Sequence, residues 1–194
     1  MEDRWKTLRK EIDELRSNRE HAVGALENSI ARRLTRLGKE AHCSRDAIGW
    51  LQHRRNGAIT KIDFKSRADG RDARGHPAVL LRGLDYLDDG ATLSMSIDLE
   101  RETLASYSIS IVGRKRDGNG GSPASVYARI DLDDGPKGQG LCSHPLLHCH
   151  MGADPEPNDK LSPRAPLPWL HPADALDWLL STVHPTLEPC PHPK

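Results

Sequence analysis

The sequence predicts an α+β fold, in which N-terminal amphipathic helices and a closing C-terminal helix accompany a mainly antiparallel, five-stranded sheet. Two observations support this prediction. Apolar residues recur every three or four positions over residues 4 to 37, which is the helical period. From residue 78 onward they alternate with polar residues, which is the period of a half-buried strand. Short turns between the alternating segments favour antiparallel pairing.

The N-terminal stripe predicts one helix over residues 4 to 37, or two helices joined near Gly24, with Gly38 as the C-cap. We expect this helix to pair with a protein partner or with a second copy of the chain. A second helix is predicted from Ser44, a good N-cap, to residue 55. The apolar stripe consists of Trp5, Leu8, Ile12, Leu15, Leu26, Ile30, Leu34 and Leu37.

The change of period predicts how the chain is divided. We expect a helical region at residues 1–57, a connection at 58–77, an antiparallel β domain with its closing helix at 78–184, and a proline-rich tail at 185–194. Pro172 suits the first turn of the closing helix. The predicted strands span residues 78 to 87, 92 to 99, 104 to 112 and 125 to 132, followed by a fifth strand around His148.

Composition limits the classes of function. The chain of 194 residues has 28 lysine and arginine residues and 28 aspartate and glutamate residues, so its net charge creates no strong field for nucleic acid. Its four cysteines contain no CxxC pair, which favours free thiols over a Cys142–Cys149 disulfide. No apolar run is long enough to cross a bilayer, and the charged N-terminus does not resemble a signal peptide. We therefore expect a cytoplasmic protein that does not bind membranes.

A candidate site follows from the alternation of the last predicted strand. Leu147, Cys149 and Met151 alternate with His148 and His150, so both imidazoles are expected to leave one face of the sheet. The same face collects the polar residues of the preceding strands. These are Ser94, Ser96, Asp98, Ser106, Ser108, Ser110, Arg129 and Asp131.

Two kinds of chemistry suit this cluster. In the first, His148 and His150, with His144 nearby, exchange protons near neutral pH, Asp131 orients an imidazole, and Arg129 stabilises charge on a phosphodiester. In the second, His148 and His150 bind zinc or a similar divalent ion together with His144 or Asp131.

The order of these motifs resembles the TumE-type proteins of bacterial toxin–antitoxin loci and related bacterial families. The resemblance covers about residues 125 to 183. It rests on Arg129-x-Asp131, a His144-Pro-x-x-His148-x-His150-x-Gly segment, Arg164-x-Pro and the helix that begins at a proline. It implies a toxin-like or defence-linked protein that acts on RNA.

Two functions are therefore predicted. The first is a ribonuclease in which His148 and His150 are the acid and base, and Arg129 and Arg164 hold phosphate. The second is a non-enzymatic interaction subunit that assembles through its N-terminal helix and has a structural or metal-binding histidine face. Replacing His148 and His150 distinguishes them, because only the first function loses an activity.

Overall fold

The computed structural model describes residues 10, 23–101, 103–114, 125–132, 147–152 and 164–184, which form three helices and nine strands. The helices are α1 (Val23–Lys39), α2 (Ala47–Trp50) and α3 (Pro172–Val183). The strands are β1 (Leu51–Asn56), β2 (Ile59–Phe64), β3 (Gly70–Arg71), β4 (Pro77–Leu81), β5 (Ala91–Glu100), β6 (Thr103–Arg114), β7 (Ser125–Leu132), β8 (Leu147–Gly152) and β9 (Arg164–Pro166). Within the predicted N-terminal stripe, the part before Val23 lies outside the described residues except for Lys10, which is helical. Residues 115 to 124, between β6 and β7, and the predicted tail from residue 185 also lie outside them.

The sheet confirms the α+β class and the antiparallel pairing. Its strand order is β1-β2-β5-β6-β7-β8-β9, while β4 pairs with the same edge of β5 as β2 and β3 pairs with β4. Every pair of strands is antiparallel. The prediction of five strands was too low, because β1, β2, β3 and β9 also belong to this architecture. Strands on both sides of the predicted connection at residues 58–77 therefore lie in one sheet.

The helix predicted from Ser44 to residue 55 is wrong beyond Trp50. Residues 51 to 56 form β1, which pairs with β2 through a two-residue turn between Asn56 and Ile59. Gly57 has a φ of +62° in this turn, a backbone conformation that glycine adopts without steric cost. Asn56 still pairs with Ile59, so Gly57 and Ala58 are the two turn residues, and a glycine at the first of them is typical of a two-residue hairpin turn.

The end of α1 also differs from the prediction. Gly38 lies inside the helix, and Ala41 takes the left-handed conformation with a φ of +64°. The His42 N–H donates to the Leu37 carbonyl at 2.8 Å, closing a Schellman-type cap. A Cβ atom at Gly38 would lie 3.3 Å from the Cα of Arg45, so glycine serves close packing at this position.

The apolar face of the sheet forms the core beneath α1 and α3. The prediction of alternating strands is confirmed for β5, where Ala91, Leu93, Met95, Ile97 and Leu99 are all buried. α3 packs against β6, β7 and α1, while α1 packs against β1. The helices contribute Leu26, Ile30, Leu34, Leu37, Leu176, Leu179, Leu180 and Val183 to the core.

A buried ion pair joins the two long helices. The Arg33 guanidinium on α1 donates from Nε and Nη2 to Asp177 Oδ2 on α3, at 2.9 and 2.5 Å. Its Nη1 donates to the backbone carbonyl and the hydroxyl of Ser29 at 3.0 and 3.1 Å. Every nitrogen of this guanidinium is therefore hydrogen-bonded, as a buried charge requires.

β8 is not half-buried as predicted. Leu147 and Cys149 enter the core, and Cys149 is a free thiol, but His148 and His150 on the other face are also buried. Met151, which was expected to point inward, is 50% exposed because the strand leaves the core at its end. Alternation therefore identified the two faces of β8 without revealing that both are covered.

None of the helices among the described residues combines the length and apolarity needed to cross a membrane.

Candidate metal centre

The strand register gathers the predicted polar residues into rows across one face of the sheet. In one row, Ser108 pairs with Asp131, which pairs with His148 on β8. In the adjacent row, Arg129 on β7 pairs with His150. The predicted polar face is thus confirmed, and its titratable groups meet where β7 and β8 run side by side.

Three side chains converge on one carboxylate oxygen. Arg129 Nε donates to Asp131 Oδ2 at 2.7 Å. Nε2 of His150 lies 3.3 Å from the same oxygen, and Nε2 of His148 lies 3.8 Å from it. The two imidazole rings meet edge to face, with their centroids 4.8 Å apart. Asp131 is therefore the centre of the cluster, and both histidines turn the same nitrogen toward it.

This part of the polar face is covered, contrary to the expectation of an open histidine face. His148 is 1% exposed and His150 is fully buried. Among the described residues, neither ring nitrogen of His150 has a hydrogen-bond partner. Nε2 faces the Asp131 oxygen at 3.3 Å without hydrogen-bond geometry, and a buried imidazole that forms no hydrogen bond is costly. A bound ion would remove this cost.

Opposing effects set the charge of Asp131. Burial alone would raise the pKa of its carboxyl, because it disfavours the charged form. Contact with His150 and the positive charge of Arg129 outweigh this effect, helped by the Ser108 hydroxyl and by His148, and the pKa falls below its ordinary value. Asp131 is thus an anion at neutral pH, which is the form that binds a cation.

Asp131, His148 and His150 form a group that can hold a metal ion. One ligand atom from each residue lies within 4.8 Å of the others. Zinc bonds of about 2.0–2.2 Å place the ligand atoms of a tetrahedral site about 3.3–3.5 Å apart. The separations of 3.3 and 3.8 Å between Asp131 and the two histidines come close to that spacing. The remaining coordination position is not filled by these three side chains.

A cavity of about 520 Å³ adjoins the cluster on the same face. Arg129 and Ser108 line it, so the cavity reaches the residues that contact Asp131. It extends across β5 to β1, β2 and the segment before β4, where Arg54, Lys61 and Arg74 also line it.

These distant residues of the cavity were missed by the sequence prediction. Arg54 was assigned to a helix, and Lys61 and Arg74 to a connection. The row that runs from Gln52 through Asp63 and Ser96 to Ser108 shows that β1 and β2 extend the polar face. Gly57 is a turn signal before β2, but the polar residues of β1 lack the alternation with apolar residues that would have supported a strand there.

Arg164 and His144 are the remaining predicted site residues. The backbone of Arg164 lies in β9 directly opposite His150, so it continues the row that contains Arg129. The prediction for His144 falls outside the described residues.

Comparison with protein-family models, with curated proteins and with solved structures finds no match to this chain.

Proposed function

We propose that this protein is a metal-dependent hydrolase that cleaves phosphodiester bonds in RNA, with one divalent ion of the zinc class bound by Asp131, His148 and His150. The convergence of three ligand atoms at a buried site supports this proposal. Among the described residues, neither ring nitrogen of His150 forms a hydrogen bond, and coordination of Nε2 to an ion shared with Asp131 would satisfy that nitrogen.

Geometry favours metal binding over acid–base catalysis without a metal. Both histidines turn Nε2 toward the same oxygen of the anionic Asp131, at 3.3 and 3.8 Å, so three ligand atoms face one point. Imidazole nitrogens and a carboxylate oxygen are the ligands that zinc prefers.

The side chains have distinct roles in this proposal. His148 and His150 supply neutral nitrogen ligands, and Asp131 supplies the anionic one. A bound ion of this class would lower the pKa of a water molecule and polarise a phosphoryl oxygen. Arg129 holds the Asp131 carboxylate through Nε and also lines the cavity, which positions its charge to stabilise a phosphate that enters there.

A second candidate is an interaction subunit whose metal ion is structural. The burial of both imidazoles favours it, because structural ions are enclosed by protein, whereas catalytic ions keep a position open to substrate. In that case, removing the ion should unfold the chain.

The first experiment combines elemental analysis of the purified protein with an RNA cleavage assay. We expect about one equivalent of metal in the wild type and none in His150→Gln, which keeps much of the side-chain volume but removes the imidazole. His53→Ala is the matched control, because His53 is an exposed histidine on β1, far from β8 in the strand order, and its side chain contacts Glu27 on α1. RNA cleavage should disappear in His150→Gln and persist in His53→Ala.

The outcomes separate the candidates. Metal and cleavage lost together in His150→Gln support the proposal. If metal is bound but no variant cleaves RNA, the result supports the second candidate, an interaction subunit with a structural ion. Cleavage of RNA by a protein that holds no metal would indicate that His148 and His150 act as the acid and the base.

A toxin-like or defence-linked role is a separate proposal that rests on the resemblance alone. Expression of the wild type and of His150→Gln in a bacterial host tests it. Arrested growth with the wild type alone would support that role.

A further inference from the structure

The cavity beside the metal centre carries an excess of positive charge. Among the described residues that line it, four are cationic and two are carboxylates. The whole chain has equal numbers of basic and acidic residues, so this excess arises from how the fold distributes them. The cationic residues are Arg54, Lys61, Arg74 and Arg129, and the carboxylates are Asp63 and Asp72.

Both carboxylates are engaged in contacts within the protein. Asp63 forms an ion pair with Arg54 and accepts a hydrogen bond from Gln52 Nε2 at 2.8 Å. Asp72 accepts hydrogen bonds from the backbone N–H groups of Arg74 and His76, at 2.9 and 2.8 Å. Asp63 and Arg54 therefore balance each other's charge, while Asp72 holds the loop before β4 in shape and lies 3.2 Å from the His76 imidazole.

Lys61 and Arg74 are the two cations of the cavity whose side chains have no ion-pair partner among the described residues. Lys61 lies on β2 next to Arg54 on β1, whereas Arg74 lies in the loop before β4, so the two charges approach the cavity from different elements. Serines cover the floor between them and Arg129, and Ser96, Ser108 and Ser110 line the cavity there. Hydroxyl groups add uncharged hydrogen-bond donors to this positive surface.

We propose that this cavity is the substrate site of the enzyme and binds the phosphate backbone of single-stranded RNA. In this arrangement Lys61 and Arg74 bind one phosphate, and Arg129 directs the next toward the metal centre. The inference rests on the proposed function, because it assigns a substrate to the same site. The cavity volume of about 520 Å³ lies in the range of ligand pockets, about 300–1,000 Å³, so it admits part of a strand.

Backbone contacts fit this surface better than base stacking does. Sequence-tolerant binding through bases depends on several aromatic side chains. This chain has 4% aromatic residues, and Phe64 is the one that lines the cavity among the described residues. Phosphate contacts need only cations and hydrogen-bond donors, both of which the cavity contains. We therefore expect affinity that depends on salt and varies little with base sequence.

The test measures binding of a fluorescent single-stranded RNA to the full chain by anisotropy. His150→Gln is the background for every variant, so that cleavage does not disturb the measurement. Lys61→Ala/Arg74→Ala removes the two cations of the cavity. Lys39→Ala/Arg45→Ala removes the same two charges from exposed positions outside it and serves as the matched control.

We expect the cavity variant to lose at least about tenfold in affinity and the control to lose less than about twofold. The slope of log Kd against log salt should fall by about 0.7 in the cavity variant, because the two side chains share one phosphate and each phosphate contact on a single strand contributes about 0.7. Equal losses in both variants, or no loss in either, would overturn the inference.

The metal content of Lys61→Ala/Arg74→Ala, measured with His150 intact, keeps the two proposals apart. If the metal content is normal but RNA binding does not depend on Lys61 and Arg74, the substrate site is contradicted and the metal centre is not. Cavity-dependent RNA binding in the His150→Gln background, together with no metal in the chain whose His150 is intact, would support the substrate site and contradict the metal centre.

Discussion

Two buried ionic clusters lie on opposite sides of the same sheet, and they differ in how fully their polar atoms are paired. On the helical side, every nitrogen of Arg33 is hydrogen-bonded to Asp177 or Ser29. On the polar side, His150 is buried and neither of its ring nitrogens forms a hydrogen bond among the described residues, although Nε2 lies 3.3 Å from the Asp131 carboxylate. A fully paired cluster needs nothing more to be stable. The incompletely paired one is where we expect a ligand, because folding alone does not satisfy it.

The largest expected effect comes from breaking the paired cluster. Arg33→Met should lower the free energy of unfolding by about 3–5 kcal/mol, because it leaves the Asp177 carboxylate buried without its partner. Urea unfolding measures this loss. The double variant Arg33→Met/Asp177→Leu should recover most of the stability, since no buried charge remains. Metal content should stay at the wild-type value in the folded fraction. A single variant as stable as the wild type would show that the pair does not hold the helices together.

A smaller effect is expected at Asp131, and it should depend on pH. The folded state holds the pKa of Asp131 below its ordinary value of 3.8, so the ionised carboxylate stabilises the metal-free fold above that pH. This contribution is lost as the pH falls through the lowered pKa. Unfolding of the metal-free wild type and of Asp131→Asn, followed from pH 7 to pH 2, measures it. The stability difference between the two proteins should shrink toward acid pH, and a constant difference would contradict the assignment.

The smallest effect is expected at an ion pair on the protein surface. Arg36 and Glu40 lie one turn apart at the end of α1, with 3.2 Å between Nε and Oε1, and the Glu40 side chain is 42% exposed. Because water screens such pairs, Glu40→Ala should change the free energy of unfolding by less than about 0.5 kcal/mol. The same urea titration checks it. A loss approaching that of Arg33→Met would mean that burial does not set the value of these pairs.

The elements predicted most accurately from the sequence are those with one apolar face and one polar face. β7 was predicted with the observed bounds, Ser125–Leu132, because its apolar and polar residues alternate without interruption. The closing helix, Pro172–Val183, was also predicted, because a proline suited to the first helical turn precedes leucines at helical spacing. The polar cluster followed from the same alternation, which placed Arg129, Asp131, His148 and His150 on one face.

The errors arose where tertiary contacts decide the structure. Residues 51 to 56 have four exposed polar positions, and they form a strand because β2 provides their backbone partners. Sequence could not show this pairing directly, so Arg54 and Lys61 were not connected with the site. The burial of His148 and His150 was missed for a related reason, because alternation distinguishes the two faces of a strand but not what covers them.

The contact between α1 and α3 has a consequence for synthesis of the chain. Arg33 and Asp177 are separated by 144 positions, and α3 follows every strand of the sheet. At about 5–20 residues per second, synthesis of α3 begins roughly 7 to 26 s after α1 is complete. Until then the apolar surface of β6 and β7 lacks the cover that α3 provides. A nascent chain that has not reached Pro172 therefore exposes an apolar surface to which a chaperone can bind, and α3 covers strands that were made before it.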